Sequence, residues 1–107
     1  MTDLDGRRFR NAAYGEQAPV ALYRQDGDLL WADFEGGDVR RGALSGRRLP
    51  DGTLEFAYSM VMASGDIIAG RCHSTVEVGP DGRATLHETW ERYGPHADTG
   101  VSTLVEV

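Results

Sequence analysis

Residues 31–46, WADFEGGDVRRGALSG, form the clearest hairpin in the chain. Gly36-Gly37 can take the positive-φ positions of a two-residue turn, which a side chain disfavours. The residues on either side alternate in character, as strands do when successive side chains point to opposite faces. The hairpin is nevertheless apolar on both faces. Leu29, Trp31, Gly42 and Leu44 fall on one; Leu30, Ala32, Phe34, Val39 and Ala43 fall on the other.

The same unit recurs along the chain. Turn signals stand at Gly15-Glu16-Gln17, Asp26-Gly27, Gly36-Gly37, Asp51-Gly52, Ser64-Gly65, Pro80-Asp81-Gly82 and Gly94-Pro95-His96. Between them lie the expected strands: Arg7–Tyr14, Val20–Gln25, Asp28–Glu35, Asp38–Arg48, Thr53–Met62, Asp66–Val78, Arg83–Tyr93 and Val101–Val107. No stretch of useful length carries apolar residues at i, i+3, i+4 and i+7, so no substantial helix is expected. Antiparallel strands in sequence order make an up-and-down meander, and closing it removes both exposed edges. Eight strands enclose an interior that just holds side chains or one small ligand. The chain is therefore expected to be all-β, a single domain over residues 1–107 that closes into a small barrel. A two-layer sandwich is the alternative.

Loops at Asp26-Gly27 and Gly36-Gly37 would set Trp31 opposite Leu22 and Gly42, with Val20, Asp33 and Arg40 in the next row. Val20, Leu22, Leu29, Trp31, Gly42 and Leu44 would then line the lumen, with the indole lying over a glycine. The second half alternates more cleanly. Leu54, Phe56, Tyr58, Met60 and Met62 make one face of their strand; Ile68, Gly70, Cys72, Ser74, Val76 and Val78 one face of the next; Ala84, Leu86, Glu88 and Trp90 one face of the third. Matching these faces predicts a row of Tyr58, Cys72 and Trp90 beside a row of Phe56, Ser74 and Glu88.

Composition excludes several functions. The formal net charge is −6, and all eleven basic residues are arginine. Without lysine there is no Schiff-base or P-loop chemistry. The arginines at 7, 8 and 10, at 40–41 and at 47–48 are interrupted by acids and form no basic stripe, so nucleic acid is not an expected partner. No apolar run approaches the ~20 residues of a membrane helix, and residues 1–8 lack the apolar core of a signal peptide. Cys72 is the only cysteine, so no intrachain disulfide forms, which fits a reducing, cytoplasmic setting.

Glu88 is the most informative polar residue, because it sits between Leu86 and Trp90 on an apolar face. An unpaired buried carboxylate costs several kcal/mol, so it should be paired, hydrogen-bonded or protonated. Ser74, Tyr58 and an inward Arg40 are candidate partners. Trp31, Asp33, Phe56, Tyr58, Cys72, Ser74, Glu88 and Trp90 are the expected ligand-contacting set. Asp33 and Arg40 would form either a surface ion pair or an inward polar anchor. His73 and His87 fall on opposite faces in this register and His96 in a loop, with no zinc-ligand spacing. No metal and no cofactor is therefore expected. Cys72 is expected to be a small core residue, since no base neighbours it.

Gly6-Arg7-Arg8-Phe9-Arg10-Asn11 resembles the Gly-x-Trp-x-Asn start of avidin-type barrels, and more loosely the Gly-x-Trp of lipocalins. Phe9 stands in place of the tryptophan. The resemblance implies a ligand-binding calycin barrel. Over nearly the full length the chain is similar to a group of short, uncharacterised bacterial proteins often labelled N-acetylglutamate synthase. The shared motifs fall at Gly6–Phe9, Trp31–Gly37, Gly42–Gly46, Phe56–Tyr58, Gly70–Ser74 and Glu88–Trp90. An acetyltransferase needs a helix N-terminus or glycine-rich loop for the coenzyme A pyrophosphate, and this chain offers neither.

Three functions follow. The first is a barrel that binds a small apolar or amphipathic molecule. The second is an interaction module with a filled core, paired as a homodimer through Leu30 and Phe34. The third is an enzyme using Glu88 as acid or base. A cavity in the barrel separates the first from the second.

Overall fold

A computed structural model, describing residues 2–107, shows a closed barrel of eight antiparallel strands in sequence order. The strands are β1 (Arg8–Asn11), β2 (Val20–Asp26), β3 (Leu29–Gly36), β4 (Val39–Arg48), β5 (Leu54–Met62), β6 (Ile67–Val78), β7 (Ala84–Arg92) and β8 (Asp98–Glu106). Closure comes from β1 pairing with β8, where Arg10 stands opposite Val105. An Arg7–Glu106 ion pair of 2.8 Å reinforces the seam, and Glu106 also accepts the Ala84 N–H at 2.9 Å. Helical structure is confined to the single 3₁₀ turns Gly15–Gln17 and Gly94–His96 among the described residues. Every expected turn contains a glycine at positive φ.

The two ends of the barrel differ. At one end Leu4, Leu30, Leu54, Leu86 and Ala84 are buried completely or nearly so. The segment before β1 closes this floor. Gly6 N–H donates to the Tyr23 carbonyl at 2.8 Å, Leu4 N–H to Gln25 Oε1 at 3.0 Å, and Arg24 to Asp5 at 2.8 Å. These bonds hold Leu4 against the ends of the strands. Burying a leucine contributes ~2 kcal/mol, so the floor is where much of the stability resides. The other end, at the β3–β4 and β5–β6 hairpins and the two 3₁₀ turns, is the mouth.

In three places a large lumen ring lies over a glycine of the neighbouring strand. A Cβ added at Gly42 would stand 2.1 Å from the Phe34 ring, at Gly70 2.8 Å from the Tyr58 hydroxyl, and at Gly100 2.3 Å from the Trp90 ring. Each ring therefore lies along the barrel wall and leaves the centre open, which is how aromatic residues cover glycines in closed sheets.

The first half departs from expectation in face and register. Trp31 pairs with Arg24 and Ser45 and is 37% exposed on the outer surface. Asp33 is also outside, 3.5 Å from Arg41 rather than facing Arg40. Leu22 and Val20 stand on the outer row, and the alternating Ala21 and Tyr23 are buried. Leu29 is exposed, whereas Leu30 and Ala32 are buried. The turn loops are Gly27-Asp28 and Gly37-Asp38, each one residue later than expected. In addition, β4 carries one extra residue at Arg40-Arg41, seen as a register shift against both β3 and β5. Such a bulge reverses which residues share a face. Gly42 and Leu44 face the lumen as expected, but under Phe34 and beside Ala32.

The second half keeps its expected faces. Cys72 pairs with Trp90 and Ser74 with Glu88, while β5 is displaced by two residues. Phe56, not Tyr58, stands beside Cys72, and Leu54 beside Ser74. The displacement follows from the β5–β6 turn, where Met62 N–H donates to the Asp66 carbonyl at 2.9 Å. His73 and His87 share the exposed outer face instead of pointing opposite ways, because the polar faces of β6 and β7 both turn outward.

Candidate functional site

Between the leucine floor and the mouth lies a cavity of about 170 Å³. Phe9, Ala21, Tyr23, Leu44, Phe56, Cys72 and Leu104 form its apolar wall; Asn11, Tyr58, Arg92 and Ser102 add polar groups around Phe34, Met60 and Trp90. For scale, an apolar cavity of ~150 Å³ holds a benzene molecule.

Glu88 reaches this space from the middle of β7. Ser74, fully buried, donates to Glu88 Oε2 at 3.1 Å. Cys72 Sγ lies 3.7 Å from Ser74 Oγ. Burial pushes the Glu88 carboxyl up to about 7, against the smaller stabilising effect of the Ser74 and Cys72 hydrogen bonds. Near neutral pH the group is thus poised between a neutral donor and a charged acceptor. Burial, with Glu88 nearby, also pushes up the Cys72 thiol and the fully buried Tyr23 phenol. Cys72 is therefore a protonated wall residue, unsuited to nucleophilic attack.

Above Glu88 on the same strand, Trp90 donates its indole N–H to Ser102 Oγ at 3.0 Å. That bond and Gly100 beneath the ring fix the indole against β8. Arg92 follows, its guanidinium 4.8 Å from the Trp90 ring centre. Burial raises the Tyr58 phenol, and the adjacent Arg92 guanidinium opposes that shift.

A family model described as Avidin-like protein matches residues 2–107. The chain belongs to the Avidin-like protein family. No curated protein and no solved structure matches it. The family assignment agrees with the eight-stranded closed barrel and with the avidin-type motif at Gly6–Asn11.

Of the eight residues expected to contact a ligand, the barrel of this Avidin-like chain gathers Phe56, Tyr58, Cys72, Glu88 and Trp90 around one cavity. Ser74 sits behind them as the partner of Glu88. Trp31 and Asp33 instead lie on the outside, away from this cavity. Arg40 is exposed and is not a partner of Glu88. Sequence reasoning missed Tyr23, Phe34, Asn11, Ser102 and Arg92. Arg92 was within reach, since it continues the alternation of Glu88 and Trp90. Tyr23 and Phe34 were hidden by the reversed faces of the first half.

Proposed function

We propose that this Avidin-like chain binds a small apolar or amphipathic molecule inside its barrel. The observation that carries the proposal is a cavity left open by rings that lie along the wall, with Glu88 as a protonatable group inside it. An apolar pocket with a few placed polar groups is the usual form of a small-molecule site. Phe56, Tyr58 and Trp90 would supply contact area, and Glu88, oriented by Ser74, a hydrogen bond that sets the ligand's direction. A filled interaction module is less well supported, because Leu30 and Phe34, which would have marked its dimer face, point into the barrel. The acid/base alternative is also weaker, since Glu88 is the single carboxylate among the described residues lining the cavity and no histidine stands there to exchange a proton with it.

Native mass spectrometry of freshly purified protein tests the proposal, under gentle and then activating conditions. The expected result is excess mass that leaves on activation and is reduced in Glu88→Gln. Equal retention by Glu88→Gln would remove Glu88 from the site. A bare mass, together with no binding of small amphipathic molecules added at millimolar concentration, would overturn the proposal.

A further inference from the structure

Among the described residues lining the cavity, Arg92 is the sole cation and Glu88 the sole acid. They stand four residues apart on β7, both directed inward, ~13 Å along the strand. At that separation the two are opposite ends of one space.

Arg92 is held without a counter-ion. It takes part in none of the ion pairs within 4.0 Å among the described residues. Its Nε is buried and has no hydrogen-bond partner. Asp98 stands directly opposite on β8, but its carboxylate accepts the Thr99 N–H at 2.8 Å instead. The guanidinium is stacked on Trp90 and flanked by the Tyr58 hydroxyl, so its orientation is set before any ligand arrives. Stacking on an aromatic face leaves the edge of the guanidinium, where its donors lie, free for an anion.

We propose that Arg92 and Tyr58 form an anion subsite at the mouth of the barrel, so that the ligand is a small amphipath whose carboxylate enters last. This rests on the lumen being the binding site. The apolar body would lie against Phe56 and Trp90, with the far end beside Glu88. A neutral molecule of the same shape would fill the cavity but leave Arg92 unpaired.

The test compares hexanoate with hexanamide, which match in shape and differ in charge. Affinities are measured by calorimetry at pH 6, where Glu88 is mostly protonated and hexanoate is ionised. The wild-type chain should bind hexanoate about tenfold more tightly or better, the scale of one charge-assisted hydrogen bond. Arg92→Gln should bind the two about equally. Arg92→Lys should keep part of the preference, and Tyr58→Phe should reduce it severalfold. Equal binding of the two molecules by wild-type protein would overturn the anion subsite while leaving the lumen site standing. So would a preference retained in folded Arg92→Gln. If neither molecule binds, the lumen reading fails and the subsite fails with it.

Discussion

The hairpins β3–β4 and β6–β7 are both rich in apolar residues, and each half of the barrel carries one of the two tryptophans. Their sequences nevertheless constrain them differently. In β6–β7 the outward positions are Arg71, His73, Thr75 and Glu77 against Thr85, His87, Thr89 and Glu91. A one-residue slip would bury that whole set, so one arrangement is strongly favoured. In β3–β4 the outward positions mix Leu29, Trp31 and Ala43 with Asp33, Glu35, Arg41, Ser45 and Arg47, and which β4 residues join that face rests on the extra residue at Arg40-Arg41. Trp90 accordingly points in, where Gly100 makes room for it, while Trp31 points out beside Arg24 and Ser45. A strand's buried face is legible when its opposite face is polar. When both carry large apolar residues, a single bulge decides.

The sharpest way to break this contrast is to truncate one leucine of each kind. Leu86, fully buried in β7, should lose about 2–4 kcal/mol on change to alanine, from lost burial and the cavity left behind. Leu29, 51% exposed in β3, should change by less than about 0.5 kcal/mol. Urea denaturation measures both, and a comparable loss at Leu29 would mean that this face is covered.

A smaller effect is expected at Gly42. An alanine Cβ there would lie 2.1 Å from the Phe34 ring and drive the ring off the wall into the lumen. Overpacking of this kind costs ~1–3 kcal/mol, and it should also weaken binding of any lumen ligand. Ala43, the next residue and outward-facing, should accept serine within about 0.5 kcal/mol.

Glu88 and Asp33 make the electrostatic version of the comparison. The Glu88 carboxyl is raised from its ordinary 4.5 to about 7 in the folded chain. Between those values the native state keeps a proton that the unfolded chain releases, so stability falls as pH rises through that window. Glu88→Gln, which cannot ionise, should equal wild type near pH 4.5 and exceed it above pH 7.5, by on the order of 2 kcal/mol. A difference that does not depend on pH would show that Glu88 is paired or hydrated. Asp33 and Arg41 are 68% and 74% exposed on their side chains. A double-mutant cycle between them should give a coupling under about 0.5 kcal/mol.

Much of the fold was legible because glycine placement marks the turns and alternation marks the strands. All eight strands were located within a few residues, and closure followed from the edge problem that an open meander would present. The lumen half built from β5, β6 and β7 was legible for the same reason: alternation gave the inward faces that carry Phe56, Tyr58, Cys72, Ser74, Glu88 and Trp90, although β5 sits two residues from the expected register. The half built from β2, β3 and β4 was not. Leu22 and Trp31 looked as suitable for burial as Tyr23 and Phe34, and no local signal announced the bulge. Arg92 was overlooked for another reason, because an arginine at a strand end ordinarily reads as solvated surface.

The two tryptophans offer the most direct test of the central claim, that the barrel interior is a ligand site. Their indole N–H groups give separate signals in a ¹⁵N-resolved NMR spectrum, assigned with Trp31→Phe and Trp90→Phe. On titration with hexanoate the Trp90 signal should move in a saturable manner while the Trp31 signal stays in place. Movement of Trp31 with Trp90 unchanged, or no movement of either at millimolar hexanoate, would contradict the account.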